Sequence, residues 1–231
     1  MATKAQKEEF ISKMWQTIFA NRDKLKGLLP SVIIVQSGFE SGWGQDGIAR
    51  QYNNYFGFKV GSGHVYSNRW NEANGKRSFN TRTNEYDKNG NKTTIKDNFR
   101  VYDSMEDSLI DRNALIHENY KSALAATTPL AQLTALKKGG YSTSPTYDTE
   151  LYNQIKHDGL EKYDELMRQA LAEDSKKKST STKTQNSTTP TAQAKPEKKL
   201  KGWHIALIVV GGLAIVGTAG YLIYKRKRIT K

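Results

Sequence analysis

A single carboxylate, Glu40, stands in the stretch Gln36-Ser-Gly-Phe-Glu-Ser-Gly-Trp-Gly44, between the apolar run Val32-Ile-Ile-Val35 and Trp43. A glutamate at the end of a buried element, beside aromatic rings, is a candidate proton donor. Desolvation disfavours the charged form, so the carboxyl keeps its proton at neutral pH. Breaking a bond to a poor leaving group such as a glycosidic oxygen requires such an acid. Phe39 and Trp43 are the aromatic neighbours in sequence. If residues 31–41 form a helix stopped by Gly42, the macrodipole in its last turn pushes the pKa the same way. The competing reading of the same position is an ordinary carboxylate facing water. Asn53-Asn-Tyr-Phe-Gly-Phe-Lys59 follows shortly after and adds further aromatic and amide side chains.

The elements that must position Glu40 are legible in part. Phe10, Ile11, Met14, Trp15, Ile18 and Phe19 recur at helical spacing within residues 4–20, an amphipathic packing helix. The run 32–35 is β-branched throughout and favours a strand locally, whereas Pro30 is a good first residue of a helix. Residues 61–82 are polar and glycine-rich and are expected as a loop, in which Tyr66, Trp70 and Phe79 are either packing anchors or sugar-stacking rings. A hairpin is expected around Asp87-Lys-Asn-Gly90, with arms at 83–86 and 91–102. Glu85 in its first arm is, on residue type alone, a solvated charge with Asp87 and Asp97 as equals. Ser104 caps a predicted helix over 105–118, Thr128-Pro129 opens another that Gly139-Gly140 ends, and apolar residues from Leu151 to Leu171 complete the helical packing.

Glu40-Ser-Gly-Trp-Gly followed by Asn54-Tyr-Phe-Gly-Phe-Lys59 resembles the signature of FlgJ-type N-acetylglucosaminidases, glycoside hydrolase family 73. The likeness runs in order from about Phe10 to Leu160. It implies a mostly helical, lysozyme-like α+β domain with a β-hairpin flap, and helix rather than strand for 31–41. It implies cleavage of peptidoglycan glycan strands at N-acetylglucosamine, with Glu40 as the acid. Thr83-Asn-Glu-Tyr86 is similar to the flap motif that carries a second carboxylate, which makes Glu85 the second catalytic candidate. Gly140-Tyr-Ser-Thr-Ser-Pro-Thr-Tyr147 resembles a cleft-lining segment, so Tyr141 inherits a catalytic-site role. Trp43, Asn54, Phe56, Trp70 and Tyr147 are the expected substrate contacts. Gly38 and Ser144 depart from the family's usual alanine and aspartate. A lytic transglycosylase or muramidase on the same fold, and a non-catalytic wall-binding envelope or virion protein, are the rival readings.

Composition bounds the rest. There is no cysteine, and four scattered histidines do not form a ligand set, so neither metal nor other cofactor is expected. Of the 36 Lys and Arg, 13 follow Asp174 against the single acid Glu197, so +12 of the net charge of +13 belongs to the tail. A nucleic-acid partner is therefore not expected, because such a protein carries its basic excess on the folded unit. The expected organisation is a hydrolase domain over 1–174, a basic linker over 175–201, an apolar span over 202–224 and a basic tail over 225–231. The 202–224 segment carries no charged residue, which predicts a single membrane-spanning helix. Its small residues offer a route to self-association. The N-terminal apolar residues are interleaved with charges and do not form a signal segment. An anchored enzyme held in a bacterial envelope, or stored in a membrane-containing phage particle and delivered to the wall, fits these features.

Overall fold

The computed structural model describes residues 2–61, 70, 77–86, 92–142 and 144–184. The chain divides into one unit over Met1–Ser187 and a second over Thr188–Lys231, and the second lies outside the described residues. So does the 202–224 segment; among the described residues no helix is long and apolar enough to cross a membrane.

The first unit is organised around one helix. Helix α1 spans Lys4–Ala20 and opens on a capping box between Thr3 and Gln6, and a 3-10 turn at Arg22–Lys24 follows. Helix α2, Pro30–Glu40, starts with proline at its first turn and ends at Glu40. Val32, Ile33, Ile34 and Val35 are all fully buried. A helix apolar on every side must be enclosed by others, and α2 packs against α1, α6 (Pro129–Lys138), α7 (Tyr147–His157) and α8 (Glu161–Thr184). Burial of roughly 1.5–3 kcal/mol per side chain outweighs strand propensities spanning about 1 kcal/mol. This is why β-branched residues are helical here.

The remaining elements are α3 (Gly47–Tyr52), β1 (Ser78–Tyr86), β2 (Lys92–Arg100), α4 (Met105–Asn119) and α5 (Lys121–Leu124). Strands β1 and β2 pair antiparallel from Ser78↔Arg100 to Tyr86↔Lys92. The hairpin thus begins well before residue 83, and 78–82 is strand and not loop, with the Phe79 ring stacked on Tyr52 at 4.4 Å. Its base is fixed by a buried cluster. Arg100 donates to Asp111 at 2.8 Å, Tyr102 donates to the same carboxylate at 2.6 Å, and the Arg100 guanidinium covers the Trp70 ring at 4.2 Å. Trp70 is 2% exposed and donates to the Arg77 carbonyl. It is a packing anchor, which corrects its assignment as a substrate contact: the ring's face is taken by a guanidinium.

Helix α8 runs on to Thr184, ten residues into the stretch expected as linker. Lys, Ser and Thr there can continue an existing helix without burying anything, since elongation is far easier than nucleation.

Candidate active site

Helix α2 delivers Glu40 to its C-terminal end, and the chain then makes an unusual turn. Gly42, Trp43 and Gly44 all have positive φ, at 55°, 58° and 74°. Only glycine adopts this conformation freely, so the two glycines carry the turn and Trp43 is forced into it. Trp43 N–H donates to the Gly38 carbonyl at 2.7 Å, and the indole folds back onto α2. It packs edge-on to Phe10 at 6.0 Å, with the Lys7 ammonium 4.3 Å above it. Lys7 in turn pairs with Asp158 at the end of α7. Trp43 therefore ties α1 to α2 and is absent from the cleft lining, a correction of its expected role as substrate contact.

The same packing accounts for Gly38. A Cβ there would lie 2.4 Å from Trp43 Cε3. Gly38→Ala is expected to destabilise the fold by about 1–3 kcal/mol, although alanine favours helix by about 1 kcal/mol. Urea unfolding of the variant checks this, and a stabilised variant would contradict the packing.

Glu40 opens into a cleft of about 540 Å³ lined by Asn54, Phe56, Gly57, Phe58, Lys59, Thr83, Phe99, Tyr120 and Tyr141, among others. Water reaches the carboxylate, but protein surrounds it on most sides. That partial burial alone pushes the Glu40 pKa up to about 7. Phe39, its neighbour in sequence, is 56% exposed and turns its ring edge-on to Tyr147. Gly57, at φ 63°, brings bare backbone to Glu40: a Cβ there would sit 3.6 Å from Oε2.

Asn54 is 2% exposed and holds the 54–58 turn: its Nδ2 donates to the Phe58 and Arg100 carbonyls and its Oδ1 accepts from Phe58 N–H. Residues 58–60 then run along β2, through Arg100 N–H to the Phe58 carbonyl and Val60 N–H to the Asn98 carbonyl. Phe56 is buried and lines the cleft. Tyr141 lines the cleft directly; burial pushes its phenol well above the ordinary range, with the Arg112 guanidinium opposing the shift. Tyr147 is 3% exposed and accepts from Gln36 Nε2 at 2.8 Å. It stands behind the cleft wall, so its expected contact with substrate is corrected to a supporting place. Glu85 sits on β1 opposite Thr93. Thr83, two residues earlier, lines the cleft.

Sequence reasoning missed Phe58, Lys59, Phe99 and Tyr120 as lining residues. Phe58 and Lys59 were within the signature and could have been found; Phe99 and Tyr120 carry no local signal. Lys59 pairs with Asp97 at 3.1 Å across the same wall. Among the described residues no group of His, Asp or Glu is arranged to hold a metal ion.

Residues 16–160 match the family described as mannosyl-glycoprotein endo-beta-N-acetylglucosaminidase. The chain is 31% identical over 147 residues to exo-glucosaminidase LytG of Bacillus subtilis, covering 60% of this chain and 47% of the relative. It is 35% identical over 135 residues to peptidoglycan hydrolase FlgJ of Escherichia coli K12, covering 56% of this chain and 40% of the relative. The chain thus spans less than half the length of these curated relatives. Among solved structures, the catalytic domain of the Listeria monocytogenes autolysin Auto superposes with a TM-score of 0.55 at 27% identity, over 71% of this chain and 90% of that one. A mutant peptidoglycan hydrolase from Sphingomonas sp. A1 gives 0.55 at 26% identity, over 67% and 96%.

Proposed function

Because the chain belongs to the mannosyl-glycoprotein endo-beta-N-acetylglucosaminidase family, we propose that it is a peptidoglycan hydrolase that cleaves the glycan strand after N-acetylglucosamine. The observation that carries this reading is Glu40, a carboxyl with its pKa pushed up to about 7 at the open end of α2, in a cleft walled by Phe56, Phe58 and Tyr141. At neutral pH a large fraction of such a group still holds its proton.

In the proposed reaction Glu40 gives that proton to the glycosidic oxygen. The C1–O bond breaks, and its electron pair leaves with the protonated oxygen as a hydroxyl. Water supplies the hydroxyl that ends on C1 and releases one proton, which restores the acid. Glu85 on the flap strand is assigned to the water or to the substrate's 2-acetamido oxygen, the two routes by which C1 is attacked when the second carboxylate is not itself the nucleophile. Tyr141 shapes the sugar site from the cleft lining.

The sequence supports a second part of the proposal. The uncharged 202–224 segment, followed by Lys225-Arg-Lys-Arg228, would hold the enzyme to a bilayer, in an envelope or in a phage particle. Sedimentation of the full chain with lipid vesicles, lost on deletion of 202–224, tests the anchor.

For the activity, release of reducing ends from purified peptidoglycan is expected, with kcat/KM falling on the alkaline side of about pH 7 as Glu40 loses its proton. A rate that is flat from pH 6 to 9, or no release at all, would remove Glu40 from the acid's role.

A further inference from the structure

Beneath the cleft lies a fully buried cation, Arg112 of α4. Arg100, the other fully buried arginine among the described residues, has the Asp111 carboxylate as its partner. Arg112 instead meets neutral oxygens. Nη2 donates to Gln36 Oε1, Nη1 donates to Asn113 Oδ1 at 3.2 Å, and Nε has no acceptor among the described residues. The guanidinium also stands 5.7 Å from the Phe56 ring, and its charge acts on the Tyr141 phenol, opposing the rise that burial gives it. Burying a charge without a counter-charge is costly, so the arrangement calls for a function that a neutral side chain would not serve.

The direction of the hydrogen bonds supplies one. Arginine only donates. Gln36 must therefore turn its Oε1 to Arg112, which leaves Nε2 to donate to the Tyr147 hydroxyl at 2.8 Å. The Tyr147 hydroxyl is thus occupied as an acceptor, and its ring lies 6.1 Å from that of Tyr141. The Tyr141 phenol feels both the Arg112 guanidinium and Glu40, and an oxygen beside a cation that only donates turns its own proton away from it. We propose that Arg112 is a positioning residue: directly, and through Gln36 and Tyr147, it keeps the Tyr141 O–H pointed into the cleft as a donor to Glu40 and the bound sugar. Such a donor stabilises the carboxylate that Glu40 becomes once it has given up its proton. The inference rests on the reading of this cleft as a glycosidase site.

The test is a double-variant cycle in the full chain, with Arg112→Met, Arg112→Lys, Tyr141→Phe and the Arg112→Met/Tyr141→Phe pair, assayed on peptidoglycan. Arg112→Met is expected to lower kcat by about 10- to 100-fold with KM within about twofold. Lysine, which restores a charge and a donor, is expected to recover most of that loss. The double variant is expected to be no more than about twofold slower than Tyr141→Phe alone, because both changes break one unit. Additive losses, or full activity in Arg112→Met, would overturn the proposal.

A second readout needs no turnover. Carboxyl-carbon NMR of the substrate-free protein follows the Glu40 titration, and Arg112→Met is expected to raise its midpoint by about half a unit or more. The other ionisable residues at the cleft, Asp46, Lys59 and Tyr120, with Glu85 on β1, are unchanged in every variant. An unmoved midpoint would overturn the role of Arg112 even if the chain cleaved no glycan, while a shifted midpoint in an inactive protein would keep Arg112 and reject the hydrolase.

Discussion

Replacing Glu40 by glutamine is expected to lower kcat on peptidoglycan by about 10²- to 10⁴-fold, the usual contribution of a positioned general acid, with little change in KM. Glutamine fills the same space in the cleft and still offers hydrogen bonds, but it has no proton to give to the leaving oxygen. The same substitution has a signature in stability. Burial raises the folded-state pKa of Glu40 from 4.5 to about 7. Between those pH values the folded chain retains a proton that the unfolded chain has released, so this group makes stability fall as pH rises through that window and leaves it level above. Glutamine does not titrate. The variant is therefore expected to melt above the wild type, by a gap that opens between pH 4.5 and 7 and then stays constant. Melting curves at pH 4, 6 and 8 measure it; a constant gap would mean that Glu40 is not desolvated.

Asp111→Ala carries the largest expected loss of stability, about 3–5 kcal/mol, the range for breaking a buried ion pair from one side. Asp111 is fully buried and receives both Arg100 at 2.8 Å and the Tyr102 hydroxyl at 2.6 Å. Its loss takes the counter-charge from an arginine that is 1% exposed and removes the joint between the hairpin base and α4. The exposed pair Lys156 and Glu161, at 2.8 Å, has similar geometry, yet Glu161→Ala is expected to cost no more than about 1 kcal/mol because water screens it. Denaturant unfolding of the two variants compares them directly. Equal, small losses would show that the Arg100–Asp111 pair does not hold the flap.

How far the sequence reached follows from where each signal was local. Pro30 at the start and Gly42 after the end delimit α2 correctly, and Ser104, which accepts from Asp107 N–H at 3.1 Å, marks the start of α4. The resemblance placed Glu40 at the end of a helix against the strand preference of 32–35, and enclosure by four helices is the physical reason that helix prevails. What failed depended on chain direction. Trp43 is near Glu40 in sequence, but the left-handed turn from Gly42 to Gly44 sends its ring to Phe10 and Lys7. Trp70 and Tyr147 have the residue type of sugar contacts, but the hidden partners Arg100 and Gln36 turn them inward. Arg112 gave no local sign at all, since a charged residue inside an apolar helical pattern is indistinguishable from a surface one until its partners are known.

The most direct test of the central claim is the chemistry of the new ends. Full-length chain and its Glu40→Gln variant are incubated with purified peptidoglycan, and the products are identified by mass spectrometry. Reducing N-acetylglucosamine ends from the wild type, and none from the variant, are the predicted result. Anhydro-muramic ends, or intact glycan in a mixture where the wild type still binds the wall, would contradict it.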